Sequence, residues 1–357
     1  FAANASGGGT MTTAPEGYAL DWQRNLELFQ SADRLGFELL IPLARWRGFG
    51  GPLDFNGESF ESYTWAAGIA QATQAIACVA TSHVYTVHPI LAAKQATTID
   101  HISGGRFALN IVCGWYTAEM AMFGAEVLPH DLRYDFAGEW IECVKQLWTS
   151  EEEFDFDGRW FHIHNGYQQP KPLHAPHPPL INAGGSPRGQ QFAARYCDVA
   201  FITVDADDLA ESARQVAAYR ELAKSEYDRD IQVWSIAYVI QRDTRDEALA
   251  FRDYYAITHG DDVACDNFMA DLGVQSQMYN AEQFERLKFH LKAGFFGYPL
   301  LGPASAIADD LLKLSQIGLD GILLVACDYY DELDRWGKHV TPLLIESGLR
   351  EAPESKT

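Results

Sequence analysis

Short apolar segments alternate with longer amphipathic segments along most of the chain. The apolar segments are rich in β-branched residues and predict buried strands of a parallel sheet. The longer segments repeat apolar residues every three or four positions, which predicts helices that cover the sheet. The predicted strands are 1–4, 38–44, 75–82, 106–114, 179–185, 199–204, 231–240 and 321–326. The predicted helices are 21–35, 62–73, 90–102, 131–148, 187–196, 207–223, 245–257, 303–317 and 332–347.

Eight strands, each followed by a helix, favour a closed (β/α)8 barrel of the α/β class, formed by one domain over residues 1–357. An open doubly wound sheet is the alternative, because one sequence does not give the strand order. Two insertions interrupt the repeat. The segment 151–178 predicts a small hairpin and a proline-rich passage. The segment 258–302, between the seventh and eighth strands, is longer than a normal connection. We interpret it as a mobile lid rather than a stabilising surface excursion, because it follows the C-terminal end of a strand.

Composition and charge narrow the classes of function. The net charge of −22 argues against nucleic acid and against anionic membrane surfaces, since both need clustered basic residues. No apolar run has the length of a membrane span, and no secretory leader is recognised, so we expect a cytoplasmic protein. The six cysteines are scattered without a CxxC pair, which indicates reduced, structural thiols.

Candidate chemistry lies where predicted strands end, which is where barrel enzymes carry their active sites. Asn110 is a polar amide inside an apolar strand, and a buried amide needs a partner. Other groups of polar, aromatic and glycine residues follow neighbouring strands: ARWRGFGG at 44–51, ATSH at 80–83, and Trp115 with Glu119 after the strand of Asn110.

The segment NAGGSPRG at 182–189 ends the fifth predicted strand and opens a helix. Its glycines would let the backbone approach a ligand, Ser186 can donate a hydrogen bond, and a helix N-terminus favours an anion such as phosphate. A plain loop in which Ser186 caps the helix is an equally good interpretation.

Several common cofactor and metal motifs are missing from the sequence. There is no Gly-x-Gly-x-x-Gly after a strand, no phosphate-binding P-loop and no Gly-x-Ser-x-Gly. His162 and His164 form an HxH pair, but alternating side chains of a hairpin explain it better than a metal site. We therefore expect no catalytic metal.

Taken together, these segments resemble the bacterial luciferase-like flavin-dependent monooxygenases. The resemblance runs over nearly the whole chain, with its motifs in order. It is carried by HPILAAKQATTIDHISGGRFALNIVCGW at 88–115, followed by Glu119, by HDLRYDFAGEW at 130–140, by NAGGSPRG and by GILLVACDYYDELDRWGKHVTPLL at 321–344. Within the family it is similar to the branch of pyrimidine and dimethylsulfone monooxygenases. The N-terminal passage 5–17 and the segment 258–302 depart from that branch, which leaves the substrate open.

The resemblance implies a two-component enzyme, in which a separate NAD(P)H-dependent flavin reductase supplies reduced FMN. With O2, a flavin (hydro)peroxide would insert one oxygen atom into a small organosulfur, N-heterocyclic or halogenated compound. The C4a and N5 positions of the flavin are both open for the oxygen, and we favour N5. A homodimer or homotetramer is expected. The alternatives are an F420-dependent oxidoreductase on the same fold and a non-catalytic flavin-binding protein.

The resemblance also assigns roles to individual residues. The expected FMN contacts are Ala44, Arg45, Asn110, Glu119, Arg133, Tyr134, Gly184, Gly185 and Ser186. Thr81 and Asn110 are the expected catalytic pair, which would hydrogen-bond the reactive flavin edge and oxygen. The expected substrate contacts are Trp46, Arg47, His83, Trp115 and Tyr116.

Overall fold

The computed structural model describes residues 4–274 and 280–352. Eight of the described strands form one parallel sheet, and the other two form an antiparallel hairpin. The strands are β1 (Leu39–Leu40), β2 (Ala77–His83), β3 (Phe107–Val112), β4 (Phe154–Asp157), β5 (His162–Gly166), β6 (Leu180–Asn182), β7 (Val199–Ile202), β8 (Gln232–Gln241), β9 (Tyr298–Gly302) and β10 (Gly321–Val325). The sheet has the order β1-β2-β3-β6-β7-β8-β10, and β9 also pairs with β8.

Helices connect these strands and cover the outer face of the sheet. They are α1 (Trp22–Arg34), α2 (Ser62–Ala72), α3 (Pro89–Ser103), α4 (Thr117–Met122), α5 (His130–Thr149), α6 (Pro187–Tyr196), α7 (Leu209–Tyr227), α8 (Arg245–Asp253), α9 (Asp262–Asp271), α10 (Ala281–Gly294), α11 (Ala304–Gln316), α12 (Tyr329–Arg335) and α13 (Thr341–Glu346). Two π-helical turns, Tyr254–Thr258 and Trp336–Val340, follow α8 and α12.

The parallel strands and the helices between them have the α/β arrangement of the predicted (β/α)8 barrel, and the eight strands of the described sheet include the unpredicted β9. No ladder among the described residues joins the edge strands β1 and β10. Of the predicted first strand, residues 1–3 lie outside the described residues. Asn4 lies beside the end of β1, where its side-chain amide donates to the Leu43 carbonyl (2.7 Å) and accepts from the Leu43 amide (2.6 Å). Gly9 packs directly against Val325 at the end of β10. The N-terminal passage therefore contacts both edge strands of the sheet.

Two apolar layers hold the barrel together. The helices pack on the outer face of the sheet around buried aromatic residues such as Trp140 and Trp148 of α5. Inside the barrel, Val79, Ile181 and Leu323 belong to one buried cluster of inward-facing side chains. Inward positions alternate with outward ones along each strand, so this cluster fills the barrel below the mouth.

The insertion before the last strand is more ordered in secondary structure than its sequence pattern indicated. It contains α9, α10 and β9, and β9 pairs with the second half of the long strand β8. The first half of β8 pairs with β7. The five residues of β9 were missed because so short a run, directly after two phenylalanines and a glycine, shows no period of its own.

The last predicted helix, 332–347, is divided in the structure. Helix α12 begins earlier, at Tyr329, and a π-helical turn separates it from α13. Pro342 stands at the start of α13, where its missing N–H makes a break in the hydrogen-bond ladder inexpensive. The hairpin predicted in 151–178 is present as β4 and β5, and its His162 pairs with Asp157 across the strands (2.7 Å).

Three further observations concern the described residues alone. None of their helices is both long and apolar enough to cross a bilayer. They contain no cluster of three or more His, Cys, Asp or Glu side chains arranged to hold a metal ion. All six cysteines are buried and free of disulfide bonds.

Candidate active site

A cavity of about 640 Å³ opens at the C-terminal ends of the strands. Its walls come from β2, β3 and β6, from the loop after β1, and from the start of α5. Residues of the insertion, such as Phe268 and Phe296, also line it. Eleven of the residues predicted for the site line this cavity: Ala44, Arg45, Thr81, His83, Asn110, Trp115, Arg133, Tyr134, Gly184, Gly185 and Ser186.

Thr81 and Asn110 meet because β2 and β3 pair in a register that sets them side by side. The Thr81 hydroxyl donates to the Pro42 carbonyl (2.5 Å), so the Asn110 group that faces this hydroxyl must be its NH₂, which donates to it at 3.1 Å. The Thr81 amide in turn donates to the Ser62 hydroxyl (2.6 Å). This network fixes the pair and leaves the Asn110 side-chain carbonyl for the cavity.

Two residues of the cavity wall, Arg45 and His83, form a buried polar cluster with Glu119 behind them. The Glu119 carboxylate is fully buried, lies 3.4 Å from the Arg45 guanidinium and 3.5 Å from His83 Nε2, and also accepts from the Trp46 amide. Burial raises the pKa of Glu119, whereas Arg45 and the backbone amides oppose that rise. Glu119 does not itself line the cavity, and its geometry is that of a counter-ion that holds Arg45 in the wall.

His83 is a neutral side chain in this cluster. Burial, together with the nearby Arg45 charge, lowers its pKa to about 4. Its Nε2 lies 3.1 Å from the Ala44 carbonyl and therefore carries the hydrogen. The other ring nitrogen, Nδ1, is a buried acceptor for which the described part of the chain offers no partner.

The lowered pKa of His83 makes the stability depend on pH. Unfolded histidine takes up its proton near pH 6.5 but folded His83 only near pH 4, so the free energy of unfolding should fall as the pH drops between these values. The difference corresponds to about 3 kcal/mol. We expect His83→Gln, which does not titrate, to lose less stability than the wild type between pH 7 and 4.5. Urea denaturation at both pH values measures this, and equal losses in the two proteins would contradict it.

Three of the predicted substrate residues lie off the cavity wall. Trp46 is 41 % exposed and packs against Phe123, and its backbone amide donates to Glu119. Arg47 is exposed on the same turn. Tyr116 is buried behind the wall, where its hydroxyl donates to the Gly48 carbonyl (3.0 Å). Its ring stacks on Phe49, beneath the Arg45 guanidinium.

At the far end of the cavity, the loop after β6 meets the first turn of α5. Arg133 donates through Nη1 to the Gly114 carbonyl (2.6 Å), and its buried Nε has no partner among the residues described. The Tyr134 hydroxyl lies against Gly184, at a point where a Cβ on that glycine would come within 2.8 Å of the hydroxyl oxygen. Two polar side chains thus converge on the glycine loop.

The glycine loop is held by its own side chains. Asn182 donates to the Ile111 carbonyl (2.8 Å) and accepts from the Gly184 amide (2.9 Å). Ser186 caps α6 by accepting from the Gly189 amide (3.1 Å). The capping interpretation is therefore correct, and it is compatible with an anion site because the exposed Gly185 leaves its backbone open to a ligand. A polar residue at the end of an apolar strand was the available signal for Asn182.

Most of the remaining wall is apolar and was not among the predicted site residues. From the insertion come Phe268, Leu272, Phe295 and Phe296, together with the carboxylate Asp271. From the barrel interior come Ile41, Phe201, Ile236 and Leu323. The inward-facing residues of the strands could have been predicted from the alternation of side chains along each strand. The sequence of the insertion has no comparable pattern that indicates which side chains face the cavity.

A parallel barrel with a polar and aromatic cavity at the C-terminal ends of its strands is the arrangement of (β/α)8-barrel enzymes. Residues 1–321 match the family described as luciferase-like monooxygenase, and the chain belongs to that family.

Curated relatives agree with this assignment, and solved structures agree with the fold. The chain is 31 % identical to pyrimidine monooxygenase RutA of Bradyrhizobium sp., over 97 % of this chain and 96 % of that protein. It is 30 % identical to an FMNH(2)-dependent dimethylsulfone monooxygenase of Pseudomonas putida, with 96 % and 93 % covered. The long-chain alkane monooxygenase LadA superposes with a TM-score of 0.87 at 21 % identity, covering 100 % of this chain and 92 % of that one. The riboflavin lyase RcaE gives 0.86 at 21 %, with 98 % and 91 % covered. These two likenesses show the fold.

Proposed function

We propose that this protein is the oxygenase component of a two-component monooxygenase, which uses reduced FMN and O2 to insert one oxygen atom into a small organic substrate. The observation that carries the proposal is one cavity with the Thr81–Asn110 pair in one wall and the Gly184–Ser186 loop in another. Family membership and the FMNH(2)-dependent relative support it. A separate NAD(P)H-dependent flavin reductase, a homodimer or homotetramer and a cytoplasmic location belong to the same proposal.

The phosphate end of FMN fits the glycine loop. A phosphate there would meet the Ser186 hydroxyl, the open backbone at Gly185 and the N-terminus of α6, which together favour an anion. The unpartnered Nε of Arg133 is a buried donor in the same part of the cavity. A cavity of this volume lies within the usual range for small-molecule sites.

The ring end of FMN fits the wall that contains Ala44, Arg45 and Asn110. The Arg45 guanidinium is fixed between Glu119 and the rings of Phe49 and Trp115, so it can donate to a flavin edge without reorganising. When bound, reduced FMN supplies the electrons for O2 activation and the transfer of one oxygen atom. Thr81 and Asn110 would orient the reacting groups, and the surrounding apolar wall would exclude water. The route of oxygen transfer stays a prediction from the resemblance.

Anaerobic titration with reduced FMN, followed by turnover with ¹⁸O₂, tests the proposal. We expect saturable binding of reduced FMN, no oxidation of NADH by this protein alone, and ¹⁸O in the product from a panel of organosulfur, heterocyclic and halogenated compounds. Failure to bind reduced FMN would refute the proposal. Anaerobic turnover with F420 would instead support a hydride-transferring oxidoreductase, and flavin binding without turnover of any compound would support a non-catalytic flavin protein.

Gly184 provides a test of the glycine loop. A Cβ at this position would lie 2.8 Å from both the Asn182 side-chain oxygen and the Tyr134 hydroxyl, and 3.0 Å from the Gly189 Cα. We expect Gly184→Ala to displace the loop and to weaken reduced-FMN binding about 10- to 100-fold, which equals roughly 1.4–2.8 kcal/mol. Isothermal titration under anaerobic conditions measures the affinity.

Gly185→Ala is the matched control, because a Cβ there has no atom within 4 Å. Thermal unfolding of the ligand-free protein should be unchanged in this variant and lowered in Gly184→Ala. Any loss of FMN affinity in Gly185→Ala would then report on the ligand itself. Unchanged stability and affinity in Gly184→Ala would show that the loop does not depend on close packing.

A further inference from the structure

Two consecutive phenylalanines at the end of α10 adopt a backbone conformation that L-residues rarely adopt. Phe295 and Phe296 have φ values of 55° and 60°, in the left-handed region. At the residue after a helix this conformation is usually supplied by glycine, because a Cβ is strained there. Phenylalanine occupies two positions where glycine would fit the backbone better, which points to a use for the two side chains.

The turn is anchored on both sides. The Phe295 and Phe296 amides donate to the carbonyls of Leu291 (3.0 Å) and His290 (3.2 Å). The neighbouring glycines, Gly294 and Gly297, pack so closely on residues 237 and 238 of β8 that neither has room for a side chain. The same strand contributes Ile236 to the cavity. The two rings are therefore held on the barrel.

Both rings face the cavity and extend an apolar wall. Phe295 packs edge-on against Phe268 of α9, with ring centroids 5.4 Å apart, and both side chains line the cavity with Phe296 and Leu272. This wall belongs to the insertion, whereas the proposed FMN contacts lie on the barrel strands, the glycine loop and α5. The wall is thus the side left for the substrate.

The arginine side chains of the cavity are already paired or assigned. Those among the described lining residues are Arg45 and Arg133. Arg45 lies against Glu119, and Arg133 is at the proposed phosphate end. The lining also contains the carboxylate Asp271, whose pKa is raised by desolvation while Arg47 and Arg45 oppose the rise. An anionic substrate would therefore be desolvated here without a free cationic partner, which is costly.

We propose that the Phe295–Phe296 turn is a rigid specificity wall, which favours a small, largely apolar substrate over an anionic one and limits its size. This inference rests on the proposed function, since the ligand at the wall is a substrate only if the protein is a monooxygenase. FMN would occupy part of the same 640 Å³, so the volume left beside the wall suits a small molecule. This narrows the candidate organosulfur, N-heterocyclic and halogenated compounds to apolar ones without a negative charge.

Ligand binding without turnover tests the wall. The probes are toluene, naphthalene, toluenesulfonate and uracil. Each is titrated into the protein under anaerobic conditions, with and without saturating reduced FMN, and binding is measured by quenching of tryptophan fluorescence. We expect the wild type to bind toluene at least tenfold more tightly than toluenesulfonate or uracil. In Phe295→Gly and Phe296→Gly, the affinity for naphthalene relative to toluene should rise at least tenfold.

Controls separate the side chains from the backbone. Alanine variants at 295 and 296 remove the same ring but keep a Cβ, so the glycine variants should have the higher unfolding midpoint of each pair. Asp228, which has φ of 49° at the end of α7, lies away from the cavity, and Asp228→Gly should leave the probe preference unchanged. Phe295→Leu and Phe296→Leu keep an apolar side chain and report on size if a glycine variant fails to fold.

The outcomes of the two proposals are distinguishable. The specificity-wall proposal would be overturned if the wild type bound toluenesulfonate or uracil as tightly as toluene. It would also be overturned if the glycine variants showed an unchanged preference for naphthalene. Both results would count even if reduced FMN binds normally. Failure of reduced FMN to bind the wild type would overturn the proposed function. The titrations without flavin would then still test whether Phe295 and Phe296 limit the size of an apolar binding site.

Discussion

Replacement of Asn110 by alanine should lower the turnover number for oxygenation about 10²-fold or more, with reduced-FMN affinity changed much less. Losing one preorganised hydrogen-bonding group at a reacting centre has effects of this size. Asn110 lies in the cavity wall and is fixed by its hydrogen bond to Thr81 at 3.1 Å. Single-turnover measurements with reduced FMN, O2 and a substrate found in the ¹⁸O screen give the rate. Hydrogen peroxide release should rise in proportion as oxygen transfer fails.

Variants of Thr81 distinguish the action of Asn110 from general damage. Thr81→Val has nearly the same shape but lacks the hydroxyl that joins Pro42 and Asn110, so it should lose activity with an intact fold. Thr81→Ser retains the hydroxyl and should recover most of the rate. Because the two side chains act together, the double variant should be little worse than either single one. Full activity in Asn110→Ala would rule out the assigned role.

The pattern of apolar residues was sufficient to predict most strands of the barrel. The strands β2, β3, β7, β8 and β10 lie within a few residues of their predicted positions, because each is an apolar run bounded by polar or glycine residues. Such runs are unambiguous when a strand is buried on both faces. The insertion is different. Its helices α9 and α10 lie near the mouth of the barrel. Their sequences lack a regular apolar period that would indicate one buried face.

Individual site residues could be predicted from the sequence more easily than the contacts between them. Thr81 and Asn110 stand 29 positions apart and meet only through the register of β2 and β3. Glu119 was expected to hold the cofactor, whereas the structure places it behind Arg45, 74 positions away along the chain. Phe295 and Phe296 could not be assigned, because their left-handed conformation is set by the packing of Gly294 and Gly297 on β8. Tertiary packing decides each of these features.

Replacement of Glu119 by alanine should reduce the free energy of unfolding by about 3–5 kcal/mol, because it leaves a buried charge without its partner. The Arg45 side chain is only 5 % exposed, and Glu119 is its carboxylate at 3.4 Å. The Trp46 amide would also lose its acceptor, and His83 a neighbour at 3.5 Å. Urea denaturation of the ligand-free protein at pH 7 measures the loss.

A second variant separates loss of the carboxylate from stranding of the guanidinium. The double variant Arg45→Met/Glu119→Leu removes both buried charges and should recover most of the stability lost in Glu119→Ala, since apolar replacement of a buried ion pair is often neutral. Because it lacks Arg45, it should still bind reduced FMN poorly. Glu211→Ala, which breaks an exposed pair with Arg214 on α7, should show no measurable change. If Glu119→Ala is as stable as this exposed control, Glu119 does not neutralise Arg45. The cavity wall would then contain a free guanidinium, which would favour an anionic substrate over the apolar one proposed here.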